Sequence, residues 1–517
     1  MTTRPPNVLL IMSDQEQHWS SLPSAMSRPG LDWLLTRGTG FTRHHVVTLP
    51  CGPSRSVIYT GQHTPHTKVL GNPNRARGIG LSPTLPTLGS MLREQGYYTA
   101  YKGKWHVSVI DPPTRFSGTT AGALEEFCFA EYTADGDPVG IPWDGYRQDP
   151  AVASDAANWL LGRGGHKPDD QPWFLAVNFV NPHDIMFFDA TGRMNRTASS
   201  AMPAPRLPAP YAPLYQREWD VELPGSFHED LSGKPAAQAH LARSIAALLG
   251  DMPREDEASW RAFRDYYYNC LIDLDQHVST VLRALVAADH DRDTVVIYTT
   301  DHGEAAGAHG LREKPTSVYR ELVNVPLVVV HPDVAGGATT SALSSSVDLA
   351  PSILSMIGMD TAERADRYPA LRGHDLGPVV ADPAAAGTRE ETGVLFCMSR
   401  IPSRPTPDRE EDEQRMFLRG IFDGRWKFAR YFAPEDHHRA VDWDDLAGRN
   451  DLELYDTTAD PDEVNNLAAD PAHHDVITRL AGQLTALIDA EVGVDDGSDL
   501  LALTPASASN GHLAAPR

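Results

Sequence analysis

The sequence predicts an α/β fold in which a mostly parallel sheet is sandwiched by helices and followed by a smaller α+β subdomain. Before about Glu390, apolar runs of strand length recur with helix-like stretches between them. These runs are apolar on both faces, which is typical of parallel strands covered by helices on both sides. After that point the pattern changes to closely spaced short strands. We therefore expect a large α/β domain followed by a smaller C-terminal unit.

The first predicted elements belong to the large sheet. Its strands are predicted at residues 8–12, 97–101, 173–180, 294–300 and 326–330. Helices are predicted at 87–95 and 260–288, where apolar residues recur at helical spacing. The segment 184–244 is rich in Pro, Ala and Arg and has weak periodicity. Because long irregular segments inside a domain are commonly functional, we expect an insertion loop or lid there.

The C-terminal unit is predicted from three strands and one helix. The strands fall at 394–398, 416–422 and 426–432, and the last two meet at Asp423-Gly424, a dipeptide typical of hairpin turns. An amphipathic helix follows at 475–492. The predicted divisions are 1–389 for the α/β domain, 390–492 for the α+β subdomain and 493–517 for a mobile tail.

The composition excludes several classes of protein. The chain has 517 residues, 41% of them hydrophobic, and a net charge of -24, which argues against a nucleic-acid surface. No apolar run is long enough to span a bilayer, and the run at 7–12 is too short for a signal peptide. The four cysteines are widely spaced and form no CxxC pair, so neither a disulfide framework nor a zinc knuckle is expected. We expect a cytoplasmic protein that binds neither membranes nor nucleic acid.

Charged residues follow two of the predicted strands directly. Asp14-Gln15 comes after the first strand and Asp301-His302 after the fourth, so both pairs should open onto the carboxyl edge of one sheet, where ligands bind in such folds. Two carboxylates that converge there repel each other unless a cation lies between them, which favours a divalent metal. The alternative is that each Asp is a helix cap or a turn residue.

The segment Cys51-Gly52-Pro53-Ser54-Arg55, followed by Thr60-Gly61, resembles the maturation signature of type I sulfatases of the alkaline phosphatase superfamily. The alternative is a small buried cysteine at the start of a helix. The resemblance implies an alkaline-phosphatase-like sheet and conversion of Cys51 to formylglycine by a formylglycine-generating enzyme. It also implies that Arg55 holds the hydrated aldehyde, one hydroxyl of which attacks the ester sulfur.

The metal motifs carry the same resemblance. The opening segment at 7–15 and Asp301-His302-Gly303-Glu304 are similar to the two metal motifs of the family, which makes Asp14, Gln15, Asp301 and His302 the expected ligands. Many sulfatases have Asp at the position of Ser13 and Asn at that of His302. The Asp-Gln and Asp-His pairs are closer to the choline-sulfatase and phosphonate-monoester-hydrolase branch. The nitrogen ligand leaves Ca²⁺ and Mn²⁺ both open.

Further active-site residues are implied by the same family. Within Lys102-Gly103-Lys104-Trp105-His106, the family pattern makes Lys104 a ligand of a sulfate oxygen and His106 the base that regenerates the aldehyde. His183 is the expected general acid toward the leaving group, and Lys314 binds the sulfate from the opposite side. Asn72 is an active-site asparagine in the choline-sulfatase branch. For each of these residues an ordinary turn, loop or surface role is the alternative.

The predicted function is hydrolysis of a small-molecule sulfate monoester to an alcohol and sulfate. The alternatives are a phosphonate monoester hydrolase or phosphodiesterase, and more remotely a non-catalytic binding relative. Lys104 and His106 favour sulfate, because phosphonate monoester hydrolases replace them with Tyr and Thr. The sequence does not identify the alcohol. The tail suits either a homo-oligomer contact or disorder.

Overall fold

The computed structural model describes residues 4–111, 121–132, 136–194, 205–399, 415–437, 439, 442–497 and 500. Its strands are β1 (Asn7–Asp14), β2 (Thr39–Phe41), β3 (His44–His45), β4 (Tyr98–Gly103), β5 (Trp173–Pro182), β6 (Thr294–Thr300), β7 (Leu327–Val330), β8 (Ala338–Thr340), β9 (Ser344–Ser345), β10 (Val394–Ser399), β11 (Phe417–Phe422), β12 (Trp426–Phe432) and β13 (Asp451–Asp456). All the predicted strands are present.

The α-helices within the described ranges are α1 (Pro29–Arg37), α2 (Cys51–Thr60), α3 (Thr64–Thr67), α4 (Leu88–Glu94), α5 (Asp144–Leu160), α6 (Ala236–Leu249), α7 (Glu257–Ala287), α8 (Arg320–Val323), α9 (Leu349–Met356), α10 (Thr361–Arg367), α11 (Gly377–Ala381), α12 (Arg389–Thr392), α13 (Trp443–Arg449) and α14 (His474–Glu491). Of these described helices none combines the length and the hydropathy needed to cross a bilayer.

The large sheet has seven strands in the order β4-β5-β1-β6-β7-β2-β8. Its first four strands are parallel, so the predicted mostly parallel sheet is confirmed. Strand β7 instead runs antiparallel to β6. A parallel arrangement of two consecutive strands needs a long crossover connection, which is usually an α-helix. The chain between β6 and β7 contains only a short 3-10 turn at Ala308–Gly310 and the four-residue helix α8, and it returns antiparallel to β6.

Both faces of the large sheet are covered. In β1, Leu9 and Ile11 pack on one face with α7, whereas Val8, Leu10 and Met12 pack on the other face with α2 and α4. This alternation follows from the two-residue period of a strand. Because the strand is buried on both sides, its last residue is placed deep in the molecule. The polar residues that follow are therefore held in a buried position.

The C-terminal part of the chain forms a four-stranded antiparallel sheet in the order β10-β11-β12-β13. Helix α14 packs its apolar stripe, including Ile477, Leu484 and Ile488, against this sheet. The predicted α+β subdomain is thus present, while the exact division at 389/390 stays a prediction. The predicted tail from residue 493 also stays a prediction; within it, the buried guanidinium of Arg419 binds Asp495 with two hydrogen bonds of 2.7 and 3.0 Å. Residues 498–499 and 501–517 lie outside the described residues.

The predicted irregular insertion needs one correction. Residues 236–249 form helix α6, which begins inside the segment 184–244. Its sequence is rich in Ala and Leu, which have high helix propensity, and it buries Leu241, Ile245 and Leu249 along one face. The proline-rich stretch before it obscured this periodicity. Residues 195–204 of the insertion lie outside the described part of the chain.

Candidate active site

The carboxyl ends of four parallel strands bring the predicted motifs together. Strand β1 ends at Asp14, β6 ends just before Asp301, β4 ends just before Lys104, and β5 ends just before His183. Ligand atoms of Asp14, Cys51, Asp301 and His302 all lie within 4.8 Å of one another, and all four residues are fully buried. A group of oxygen, sulfur and nitrogen donors is therefore assembled at the sheet edge where the sequence predicted it.

Helix α2 presents Cys51 at its first position. A Cβ atom on Gly52 would lie 3.0 Å from Pro73 and 3.1 Å from the carbonyl oxygen of His106, so glycine permits the close approach of these segments. The helix ends at Gly61, whose φ of +64° is the left-handed conformation of a typical C-terminal glycine cap. The two glycines of the motif are therefore structural residues: they allow α2 to form and end where it presents Cys51.

The thiol of Cys51 faces the acidic pair and the histidine. Its Sγ lies 3.1 Å from Nε2 of His302 and 3.8 Å from Oδ1 of Asp14. Burial and the neighbouring Asp14 carboxylate raise the pKa of the thiol to about 12. An unmodified Cys51 is therefore protonated near neutral pH, and a protonated thiol is a poor nucleophile. This environment does not suit a functional thiolate.

Arg55 bridges the two acidic residues from the next turn of α2. Its guanidinium lies 2.7 Å from Asp301 and 3.1 Å from Asp14, and it also donates to the carbonyl oxygen of Lys104 at 2.9 Å. These contacts show a buried cation that holds both carboxylates in place. The role predicted for Arg55 toward the hydrated aldehyde stays a prediction.

Two lysines approach the site from different segments. The ammonium of Lys104 lies 2.7 Å from Asp14, and that of Lys314 donates to the amide oxygen of Gln15. Burial alone raises the pKa of Asp14, but the charges of Lys104 and Arg55 outweigh it and hold the pKa well below its ordinary value. The Asp14 carboxylate is therefore ionised in spite of its burial.

The three histidines of the site are neutral near pH 7. Burial, together with the charge of Lys104 or Lys314, lowers the pKa of His106 and of His183 well below the ordinary value, and burial lowers that of His302. A neutral His106 can accept a proton, as its predicted role requires. The predicted general-acid role of His183 requires a bound anion that raises its pKa.

The donor set fits a divalent cation. Nδ1 of His302 lies 2.9 Å from the carbonyl oxygen of Gly303, which can only accept, so Nδ1 carries the proton. The lone pair of Nε2 is left facing Cys51, and a metal-binding histidine is oriented in this way. Two buried carboxylates complete the set, and the amide oxygen of Gln15 lies beside Lys314. Gln15 has a φ of +74°, a strained conformation that commonly marks functional sites.

Asn72 is the remaining predicted residue. Its Oδ1 accepts a hydrogen bond of 3.1 Å from the backbone N–H of Gly52, next to Cys51. The side chain therefore borders the site and fixes the start of α2. All eleven predicted site residues lie in or beside one buried cluster, although their individual roles remain predictions.

Three further residues support the site and were not predicted. Glu304 accepts a hydrogen bond from the side-chain amide of Gln15, and Asn178 accepts from Tyr59 at 2.8 Å and from Arg55 at 3.4 Å. Asp137 accepts from the backbone N–H groups of Trp105 and His106 at 2.9 and 2.7 Å. Only Glu304 had a sequence signal, because it lies within the second metal motif.

The fold and the buried cations together define an alkaline-phosphatase-like hydrolase for anionic esters. The model of the sulfatase family matches residues 6–359, and that of the N-sulphoglucosamine sulphohydrolase C-terminal region matches residues 307–490. The first match covers more than half of the chain. The chain therefore belongs to the sulfatase family and is an enzyme of that family.

Similar proteins span nearly the same length. A delta 4,5-hexuronate-2-O-sulfatase of Bacteroides thetaiotaomicron is 25% identical over 473 residues, which cover 89% of this chain and 82% of the relative. A choline-sulfatase of Rhizobium meliloti is 24% identical over 498 residues, with 91% and 84% covered. A solved phosphonate monoester hydrolase of Silicibacter pomeroyi has a TM-score of 0.68 at 21% identity, with 94% of this chain and 96% of that chain covered. The last similarity supports the fold alone.

Proposed function

We propose that this enzyme hydrolyses a sulfate monoester to an alcohol and inorganic sulfate, using formylglycine made from Cys51. The single observation that supports this most strongly is the environment of Cys51. Its thiol lies at the first position of α2, buried among Asp14, Asp301 and His302, with Sγ 3.1 Å from Nε2 of His302. A cysteine in this position serves the chemistry better as the precursor of an aldehyde.

The side chains around Cys51 are arranged to bind the negatively charged sulfate group of an ester. Lys104 and Lys314 supply positive charge from the residue after β4 and from the loop before α8. Buried cations aimed at a developing negative charge provide much of the rate enhancement in such reactions. His106 takes the proton that is released when the aldehyde re-forms. His183 donates the proton that the leaving alcohol needs.

Asp14, Gln15, Asp301 and His302 would hold the divalent cation, with Ca²⁺ and Mn²⁺ as the two candidates. A bound cation supplies Lewis-acid stabilisation of the nucleophilic oxygen and of the ester oxygens. Arg55 keeps Asp14 and Asp301 oriented toward that position. The hydrate of the aldehyde supplies the attacking hydroxyl.

A phosphonate monoester hydrolase is the second candidate within the same superfamily. The experiment compares kcat/KM for a nitrophenyl sulfate and the matching phenyl phosphonate monoester, using protein co-expressed with a formylglycine-generating enzyme. We expect the sulfate to be preferred, because Lys104 and His106 occupy positions that phosphonate hydrolases fill with Tyr and Thr. A strong preference for the phosphonate would contradict the proposal.

The proposal includes the expected partners. The formylglycine-generating enzyme must act on Cys51 before α2 is packed, because all ten residues of α2 are buried in the folded chain. The substrate is a small-molecule sulfate ester. A cytoplasmic location, the lack of nucleic-acid and membrane partners, and a homo-oligomer remain expectations from the sequence.

A further inference from the structure

A cleft of about 310 Å³ opens beside the position of the nucleophile. Pro50, Asn72 and Lys314 form its inner end. Pro50 precedes Cys51, Asn72 binds the N–H of Gly52, and Lys314 binds Gln15. A sulfate ester whose sulfur lies at Cys51 must therefore extend its alcohol into this cleft. The volume is at the lower end of the range of about 300–1,000 Å³ for ligand pockets, so the alcohol is small.

The outer wall of the cleft is aliphatic. Its apolar members are Leu70, Ile79, Met186, Ile245, Leu248 and Leu249. The last three lie three and four residues apart on α6, so they form one ridge that faces the cleft. Arg206 donates to the carbonyl oxygen of Leu248 at 3.0 Å, and Arg312 donates to that of Gly250. These two cations hold the C-terminal end of α6, where the helix dipole favours positive charge.

Two polar side chains around the cleft, Asn74 and Glu313, have partners within the protein, whereas Oε1 of Glu313 and Oγ of Ser399 are buried without a hydrogen-bond partner. Asn74 accepts a hydrogen bond of 3.2 Å from the backbone N–H of Arg77, and the carboxylate of Glu313 lies 3.8 Å from the ammonium of Lys314. Among the described residues that line the cleft, none is aromatic. A quaternary ammonium group therefore lacks the aromatic face that usually binds it. A sugar would place several hydroxyls against the aliphatic ridge, and each unpaired hydroxyl would cost affinity.

We propose that this cleft binds an aliphatic leaving group, so that the preferred substrates are sulfate esters of short to medium aliphatic alcohols. This inference rests on the proposed sulfatase function. The ridge Ile245, Leu248 and Leu249 determines the specificity. Each methylene that the ridge removes from water stabilises the bound ester, and a sugar or choline group gains little there.

The test measures kcat/KM for butyl, hexyl and octyl sulfate, for choline sulfate and for glucose 6-sulfate. We expect kcat/KM to rise about threefold or more per methylene until the chain outgrows the cleft. The variant Leu248→Asp should remove this dependence on chain length. The matched control is Ala247→Asp, which adds the same charge at an exposed position of α6 and should keep the dependence. Faster turnover of choline sulfate or glucose 6-sulfate than of octyl sulfate would overturn the inference.

A binding measurement separates this inference from the proposed reaction. Calorimetry with 1-octanol tests the cleft without catalysis, and binding by the parent enzyme and by Ala247→Asp but not by Leu248→Asp supports the inference. Equal binding by all three proteins, or binding by none, overturns it. If octanol binds as expected and no sulfate ester is hydrolysed by protein with a converted Cys51, the proposed function fails and the cleft assignment stands.

Discussion

Two buried clusters of charge differ in a way that separates function from stability. In the Arg389 cluster, which comprises Arg389, Asp348, Glu491 and His63, the guanidinium binds both oxygens of Asp348 at 2.6 Å and lies 2.8 Å from Glu491. His63 binds the second oxygen of Glu491 at 2.7 Å. Positive and negative groups therefore alternate and neutralise each other. The cluster ties α14 to the segments around the large sheet.

The active-site cluster is arranged differently, because its two carboxylates and His302 converge on the position of Cys51. Arg55, Lys104 and Lys314 surround Asp14 and Asp301. In the same site Nδ1 of His106, Nδ1 of His183 and Nδ2 of Asn178 are buried and have no hydrogen-bond partner. A buried polar group without a partner is costly, and such groups are retained where a ligand or a reacting group uses them. The Arg389 cluster has one such atom, Nδ1 of His63. The difference teaches that burial of charge alone does not mark a catalytic site; several unpaired polar atoms beside converging metal-ligating side chains do.

The largest effect is expected from replacing Cys51, in comparison with a second buried cysteine. Cys51→Ala should lower kcat/KM for a sulfate ester by about 10⁴-fold or more, because the nucleophile is lost. The matched control is Cys270→Ala, which alters another fully buried cysteine on α7 and should keep kcat/KM within about threefold while it lowers stability. Steady-state kinetics of the two variants is the measurement. Equal losses of kcat/KM in Cys51→Ala and Cys270→Ala would contradict a catalytic role that is specific to Cys51.

The second prediction concerns the removal of the guanidinium from the Arg389 cluster. Arg389→Met leaves the buried carboxylates of Asp348 and Glu491 without their guanidinium, which should cost about 3–5 kcal/mol of unfolding free energy. Denaturant titration measures this loss. The fraction that remains folded should retain its kcat, because the cluster contacts none of the predicted site residues. A large fall in kcat with unchanged stability would reverse the interpretation of the cluster.

The third prediction compares two lysines in one motif. Lys104→Met should lower kcat/KM by about 10²–10³-fold, as the loss of one preorganised cation commonly does. Lys102 is equally buried but binds Asp155 at 3.0 Å on the other side of the strand. Lys102→Met should therefore lower the thermal midpoint and leave kcat/KM nearly unchanged. Similar kinetic losses in both variants would show that the motif acts only through the fold.

The smallest predicted effect is the dependence of stability on pH. Burial opposes the charge of His63, but Cys397 and Glu491 outweigh it and raise the pKa of His63 to about 9. A folded pKa above the unfolded value of about 6.5 means that the contribution is complete below about pH 6.5 and is lost as the pH rises to about 9. The unfolding free energy should fall by up to about 3 kcal/mol over this window.

The Arg389 cluster also makes the stability of the protein decrease at acid pH. Burial acts to raise the pKa of Glu491, but Arg389 and His63 outweigh it and lower the pKa to about 2. Its stabilisation is therefore present above about pH 4.3 and is lost as the pH falls toward 2. In the variant His63→Gln the decline between pH 6.5 and 9 should be absent. An unchanged decline in that variant would assign the pH dependence to another group.

The fold and most of the site could be predicted from sequence because their signals are local. The five predicted strands of the large sheet are mostly apolar runs, whereas the three-residue strands β2 and β8 are not; Asp14 ends its strand and Asp301 directly follows its own. Since parallel strands place their carboxyl ends at one edge, convergence of these residues followed from the strand assignments. Cys51 and Arg55 lie one helical turn apart, so a short motif fixes their geometry.

The supporting residues could not be predicted because their partners are distant in the sequence. Asp137 holds the backbone at Trp105 and His106 across more than thirty residues, and Asn178 contacts Arg55 across 123 residues. No periodicity indicates such contacts. Helix α6 was missed for a different reason, since the proline-rich stretch before it concealed its apolar stripe. The aliphatic wall of the cleft therefore emerged only from the structure.

The most direct test of the central claim is intact-peptide mass spectrometry of the segment around Cys51 in protein from its native host. We expect the mass of the thiol to be replaced by that of the aldehyde or its hydrate, and the converted fraction to scale with the sulfatase activity of each preparation. Fully active protein that contains only unmodified Cys51 would contradict the account, because the reaction would then proceed without formylglycine.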